Sequence, residues 1–276
     1  QKKNKFSKIK SICIGNIYLG GTGKTPLTIK LFNIIRKMGF DVITAKKFYS
    51  DQIDEQKLLK AKTKTIVSKR RIDAINQAVN NSNQVIIFDD GLQEKKIDYD
   101  LKIVCFKKNN WIGNGQLIPS GPLREKIENL RNYDIVVLNG KLGNSEEIKK
   151  TIHRLNSKIE VFESYYEIQN LSELNINSDY LIFSGIGDPP SFKEILLEHN
   201  IKVIREIIFP DHHSYTKKDM KSILEEAKKF NAKILTTEKD FIKIPADDVR
   251  KISFLKIELR IIKEQKFINS LNDKLS

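Results

Sequence analysis

Sulfur chemistry is scarce in this chain. It has two cysteines, Cys13 and Cys105, each inside a short apolar run. Two separated thiols support neither a disulfide framework nor a zinc site. They read as small core residues of a protein kept in a reducing compartment. Long hydrophobic runs are also missing, and none approaches the roughly 20 residues of a membrane-spanning helix. Negative charge is in deficit: 35 Asp and Glu stand against 49 Lys and Arg, for a net charge of +14. Such an excess suits a polyanionic partner, whether nucleic acid, a phosphorylated substrate or an anionic membrane. Because the lysines are spread along the chain, a lysine-rich background composition accounts for the excess equally well. The one concentration is QKKNKFSKIK, with five lysines in ten residues. The chain opens on Gln1 rather than Met, which leaves room for an upstream anchor.

What is present is a pattern of short apolar strands and amphipathic helices. With 276 residues and 39% hydrophobic content, the chain can build one large or two modest cores, and disorder is excluded. SICIG, DVITA, TKTIV, QVIIFDD, LKIVCF and DIVVLNG read as strands. Leu27, Leu31, Ile34, Ile35 and Met38 recur at helical spacing and stop at Gly39. Further helical patterns run from Ile72 to Val79, from Leu123 to Leu130 and near 217 to 230. Strands alternating with helices imply a parallel sheet covered on both faces. After a polar stretch, YLIFSGIGDPPSF restarts a strand, and AKILTTEKDF and ISFLKIEL follow. The expected organisation is an α/β, phosphate-loop NTPase-like core over residues 1–168 and a smaller α/β domain over 169–276. The boundary falls within 165–178.

The string IGNIYLGGTGKTP lies between the first strand and the first helix. Gly20, Gly21, Thr22 and Gly23 can turn their amides toward phosphate oxygens, helped by the helix N-terminus. Lys24 would meet the terminal phosphates of a nucleoside triphosphate, and the Thr25 hydroxyl would ligate Mg²⁺. Tyr18 stands where the usual loop has its first glycine. Downstream, QVIIFDDGLQ is a strand ending in two acids. Strand C-termini face the ligand crevice of a parallel sheet, so Asp89 or Asp90 is placed to hold the same Mg²⁺. Together these say nucleotide plus Mg²⁺ without separating a kinase from an ATPase.

The remaining strings carry a resemblance. IGNIYLGGTGKTP, FDDGLQ, GNGQLIPSGPLRE, FSGIGDPPSF, FPDHHSYT and TTEKDFIKI, in that order, resemble motifs of the tetraacyldisaccharide 4'-kinases, the lipid A kinases of Gram-negative bacteria. In that family too the first loop glycine is replaced. The resemblance spans about residues 12–244. It implies transfer of the ATP γ-phosphoryl group to the 4'-hydroxyl of a tetraacyldisaccharide 1-phosphate lipid, with Mg²⁺, by two domains that close over nucleotide and lipid. It implies peripheral work on the anionic cytoplasmic face of the bacterial inner membrane, and no nucleic acid partner. It also places Arg124 on a phosphate of the substrate and Glu125 near Mg²⁺; from the residues alone these read as a solvated pair at a helix start.

Transfer to a hydroxyl needs a group to accept its proton. In the family an aspartate of an Asp-Glu-Pro string does this, partnered by a histidine of the C-terminal domain. The matching string here is Asp54-Glu55-Gln56, and the histidine is His212, with His213 the second candidate and a substrate contact. Taken by itself, Asp54 reads as an N-cap or first-turn acid of the following helix. Lys239 and Asp240 read as part of a site or as a charge-rich turn, and stay outside the catalytic set.

Three departures stand out. The family's Arg-Gly-Tyr-Gly segment is replaced within TAKKFYSDQIDE, Glu94 occupies the place of a histidine, and the family's N-terminal apolar anchor is absent from the sequence. A carboxylate at 94 repels phosphate charge. Two other functions therefore compete: a degenerate homologue that binds nucleotide and membrane without transfer, and a phosphate-loop ATPase of other purpose.

Overall fold

The computed structural model describes residues 6, 8–94, 96–141 and 143–275. Of the N-terminal lysines, Lys2, Lys3 and Lys5 lie outside the described residues. In chain order the elements are β1 (Lys10–Gly15), α1 (Lys24–Lys37), β2 (Val42–Lys47), α2 (Ile53–Lys62), β3 (Thr65–Ser68), α3 (Arg71–Asn80), β4 (Val85–Asp89), β5 (Leu101–Lys107) and β6 (Ile135–Asn139). They continue with α4 (Glu146–Leu155), β7 (Glu160–Ile168), β8 (Tyr180–Ser184), α5 (Pro189–Glu198), β9 (Val203–Ile208) and α6 (Lys217–Lys229). The chain then forms β10 (Lys233–Thr237), α7 (Glu238–Phe241), β11 (Ile252–Leu255), β12 (Ile257–Ile261) and α8 (Glu264–Leu275).

The first unit comprises Gln1–Tyr49, Leu59–Tyr166 and Leu259–Ser276. Its sheet has the order β12-β7-β6-β5-β1-β4-β2-β3. The pairings of β1 with β4 and β5, of β2 with β3 and β4, and of β6 with β5 and β7 are all parallel. Central strands buried on both faces require continuous apolar runs, and β4 and β6 are buried along their whole length. One face packs Leu27, Leu31 and Ile35 of α1 with Phe267 and Leu271 of α8. The other packs Ala74, Ile75 and Ala78 of α3 against Ile86 and Phe88. Gly39 follows α1 at φ 94°, the left-handed conformation that ends a helix.

The second unit comprises Ser50–Leu58 and Glu167–Glu258. It has a four-stranded sheet of order β11-β10-β8-β9, with every pairing parallel. Helix α6 packs Met220, Ile223 and Ala227 on one side of it, and α5 packs Phe192 and Leu196 on the other. The capping box at Thr216 and Asp219 starts α6.

A single cut after residue 168 does not describe this division. The string ISFLKIEL, expected as one strand, is two. Ile252 and Leu255 are buried in the small unit, whereas Leu259 and Ile261 join the core of the large one. Between them the Lys256 amide donates to Asn170 Oδ1 at 2.9 Å, and its carbonyl accepts from the Gln169 amide at 2.8 Å. The expected helix from Leu123 to Leu130 is also shorter: only Ile127–Asn132 is helical, as a 3-10 turn, because Leu123 is taken up in bridges with Tyr18 and Leu117. No helix among the described residues is long and apolar enough to cross a membrane.

Candidate active site

The phosphate loop leaves β1 and enters α1. Gly20 and Gly23 sit at φ 105° and 90°, where a side chain is strained. A Cβ on Gly23 would also lie 2.8 Å from Tyr166 Oη and 2.9 Å from Asn139 Nδ2. Asn16 holds the loop from inside, its Nδ2 donating to the carbonyls of Tyr18 at 2.6 Å and Gly20 at 3.3 Å. Tyr18 needs no glycine freedom because its backbone is in an antiparallel bridge with Leu123. The flanking bonds, Leu19 N to Pro122 O at 2.8 Å and Arg124 N to Ile17 O at 2.7 Å, tie GNGQLIPSGPLRE to the phosphate loop. The replaced glycine and the third motif are thus one piece of structure.

Of the two strand-end acids, Asp89 meets Thr25 and Asp90 faces two cations. Thr25 Oγ1 donates to Asp89 Oδ2 at 3.0 Å, and Thr28 Oγ1 donates to Asp89 Oδ1 at 3.3 Å. Asp90 follows at φ 62°, between Lys24 Nζ at 3.8 Å and Arg124 Nη1 at 3.6 Å. Glu125, expected near a metal, accepts instead from three neutral donors: Asn129 Nδ2 at 2.7 Å, Tyr133 Oη at 3.0 Å and Gln93 Nε2 at 3.0 Å. Oxygen donors suit Mg²⁺, and two buried oxygens here, Thr22 Oγ1 and Asp90 Oδ1, have no hydrogen-bond partner. Thr25, Asp89 and Asp90 are the oxygen-bearing side chains here that could hold Mg²⁺.

Sequence reasoning missed two cations. Lys46 pairs with Asp89 at 2.7 Å, with both side chains essentially withdrawn from water. The strand register brings the pair together, since Lys46 lies opposite Asp89 in the pairing of β2 with β4. Arg71 on α3 donates from Nη2 to the Asp90 carbonyl and lies 3.8 Å from Glu94. The acid at 94 is accordingly offset by a guanidinium. The only signal for either residue was a cation flanking an apolar segment.

In the second unit, Asp54 lies in the first turn of α2, 3% exposed. Its carboxylate accepts from His212 Nδ1, at 2.8 Å from Oδ1 and 3.1 Å from Oδ2. His212 adopts φ 62°, a left-handed turn supported by its amide donating to Asp211 Oδ1 at 3.0 Å. Burial pushes the Asp54 carboxyl up, but the His212 hydrogen bond and then the Lys239 charge hold it well below the usual carboxylate range. The same hydrogen bond, donated to Asp54, raises the imidazole pKa of His212. His213 is engaged elsewhere: its Nε2 meets Asp219 Oδ2 at 3.1 Å and its ring stacks on Phe209, centroids 4.6 Å apart. Packing thus gives the two neighbouring histidines different partners, with His212 on Asp54 and His213 on Asp219.

Strand, glycine loop, helix and acidic strand end define a phosphate-loop nucleotide-binding protein of the parallel α/β class. A family model for tetraacyldisaccharide-1-P 4'-kinase matches residues 1–276. A Pelagibacter ubique protein named tetraacyldisaccharide 4'-kinase is 45% identical over 273 residues, covering 98% of this chain and 87% of that protein. One of the same name from Rickettsia bellii is 32% identical over 252 residues, covering 85% and 77%. The crystal structure of LpxK from Aquifex aeolicus in complex with ATP shares the fold, with a TM-score of 0.73 at 23% identity, covering 100% of this chain and 91% of that one. The chain belongs to the tetraacyldisaccharide 4'-kinase family, and is a kinase.

Proposed function

We propose that this chain transfers the γ-phosphoryl group of ATP to the 4'-hydroxyl of a tetraacyldisaccharide 1-phosphate, working peripherally at the cytoplasmic face of the bacterial inner membrane. The loop amides of residues 20–25 hold the phosphates, and Lys24 neutralises charge as the bond to the ADP oxygen breaks and the bond to the acceptor oxygen forms. Magnesium, when bound by Thr25, Asp89 and Asp90, supplies further charge neutralisation. Arg124 contacts a phosphate, by the bidentate geometry its fork allows. Asp54 accepts the proton of the attacking hydroxyl, and His212 fixes its orientation.

The observation that carries this reading is the 2.8 Å contact between His212 Nδ1 and a buried Asp54. An N-cap role leaves it unexplained: the only local backbone bond to the Asp54 side chain comes from the next residue, Glu55 N at 2.8 Å, among the described residues. The competing reading as a degenerate binder has less support, since Arg71 offsets Glu94. A bilayer carrying an anionic lipid substrate suits a net charge of +14. The test is transfer of labelled γ-phosphate to the lipid in detergent micelles, compared between wild type and Asp54→Asn.

A further inference from the structure

Two ammonium groups besides His212 converge on Asp54. Lys239 Nζ lies 3.5 Å from Asp54 Oδ2, 3.4 Å from Glu55 Oε1 and 3.2 Å from Asp211 Oδ1. Lys243 Nζ lies 3.6 Å from Asp54 Oδ2 and 2.7 Å from Asp240 Oδ1, and donates to the Gly185 carbonyl at 3.4 Å. The turn that presents them is fixed from inside. Thr237 Oγ1 donates to Asp240 Oδ2 at 2.7 Å and accepts from the Asp240 amide at 3.1 Å, and Asp240 is fully buried.

The two oxygens of Asp54 are treated differently. Oδ1 takes the short bonds, from His212 Nδ1 and from the Glu55 amide, both at 2.8 Å. Oδ2 takes the longer arm of the His212 Nδ1 contact, at 3.1 Å, and faces the two ammonium groups at 3.5 and 3.6 Å, close enough for strong attraction and too far for a good hydrogen bond. With two lone-pair sites, Oδ2 therefore keeps acceptor capacity beyond the His212 contact. Lys243 is committed to Asp240 by its short contact. Lys239 has no such single partner and is shared among three carboxylates.

We infer that Lys239 is a positioning residue for phosphoryl transfer, its charge steadying the Asp54 carboxylate so that a lone pair of Oδ2 stays available to take the hydroxyl proton. The inference rests on the reading of Asp54 as proton acceptor given above. The groups facing Asp54 are His212, Lys239 and Lys243, with Glu55, Asp211 and Asp240 behind the cations and the Tyr215 ring 5.3 Å from Lys243 Nζ. A like-shaped neutral side chain at 239 leaves the carboxylates crowded and raises the proton affinity of Asp54.

The experiment follows the His212 imidazole by NMR titration from pH 5 to 9, and kcat, KM for ATP and Tm at pH 7.5, for wild type, Lys239→Met, Lys239→Arg and Asp54→Asn. The Asp54 hydrogen bond raises the imidazole pKa of His212 and the Lys239 charge opposes that rise, so Lys239→Met should move the titration to higher pH and lower kcat by about tenfold or more, with KM for ATP unchanged. Lys239→Arg, which keeps the charge, should restore the wild-type titration and turnover. An unmoved titration with a lower Tm would make Lys239 structural and overturn the inference, as would a Lys239→Arg protein displaced like Lys239→Met. If Lys239→Met does not fold, Lys239→Gln carries the same comparison. Wild-type turnover in Asp54→Asn would instead overturn the assignment of Asp54 itself.

Discussion

Lys46 and Asp89 face each other across adjacent strands, Nζ 2.7 Å from Oδ2, with side-chain exposures of 1% and 0%. Removing one partner of such a pair leaves an uncompensated buried charge. Lys46→Met should destabilise the large unit by about 3 kcal/mol, moderated by the Thr25 and Thr28 hydroxyls that still donate to Asp89. Urea midpoints of wild type and variant check this, and an unchanged midpoint would show that the pair adds nothing.

The Asp54–His212 pair makes a kinetic prediction. Asp54→Asn keeps the shape and removes the proton acceptor, so turnover should fall by roughly 10²–10⁴. His212→Ala should cost comparably and the double variant little more, because groups acting as a unit are not additive. If Asp54 served only the start of α2, asparagine would serve as well, and turnover would stay near wild type.

How much of this was legible differs by element. The alternation of strands and helices could be read because β1, β4, β5 and β6 each carry an unbroken apolar run, ICI, VIIF, IVCF and IVVL. The end of β2 could not, because the apolar run DVITA stops before Lys46, and a lysine usually marks solvent rather than a buried partner. Asp54 and His212 are 158 residues apart, so only the resemblance joined them. The division of ISFLKIEL was hidden because one mostly apolar string serves two cores, and Lys256 at the break is not set apart from Ser253 and Glu258.

Stability should depend on pH through Glu163. Burial pushes its carboxyl up, but hydrogen bonds from Lys108 and Lys149 prevail and bring it from 4.5 down to about 2. A folded pKa below the unfolded one means stabilisation that is present above pH 4.5 and lost as pH falls toward 2. Glu163→Gln should flatten the stability profile in that window and lower stability at neutral pH. Chemical denaturation at a series of pH values tests this; parallel profiles for the two proteins would contradict it.

Binding to anionic vesicles should weaken as salt rises, because exposed lysines act through a screened field. Deleting residues 1–9 should weaken it further and leave ATP binding intact. Sedimentation with vesicles of anionic and of neutral lipid measures this, and equal binding to both would remove the basic surface from the account.

The central claim is phosphoryl transfer from ATP to the lipid 4'-hydroxyl. Its most direct test is incubation with γ-labelled ATP and a tetraacyldisaccharide 1-phosphate in micelles, followed by location of the label. The account predicts label on the 4'-oxygen of the lipid, with the rate reduced by ~10² or more in Lys24→Ala, whose side chain meets the transferring group while the fold is retained. Label released only as inorganic phosphate, with none on the lipid, would contradict it.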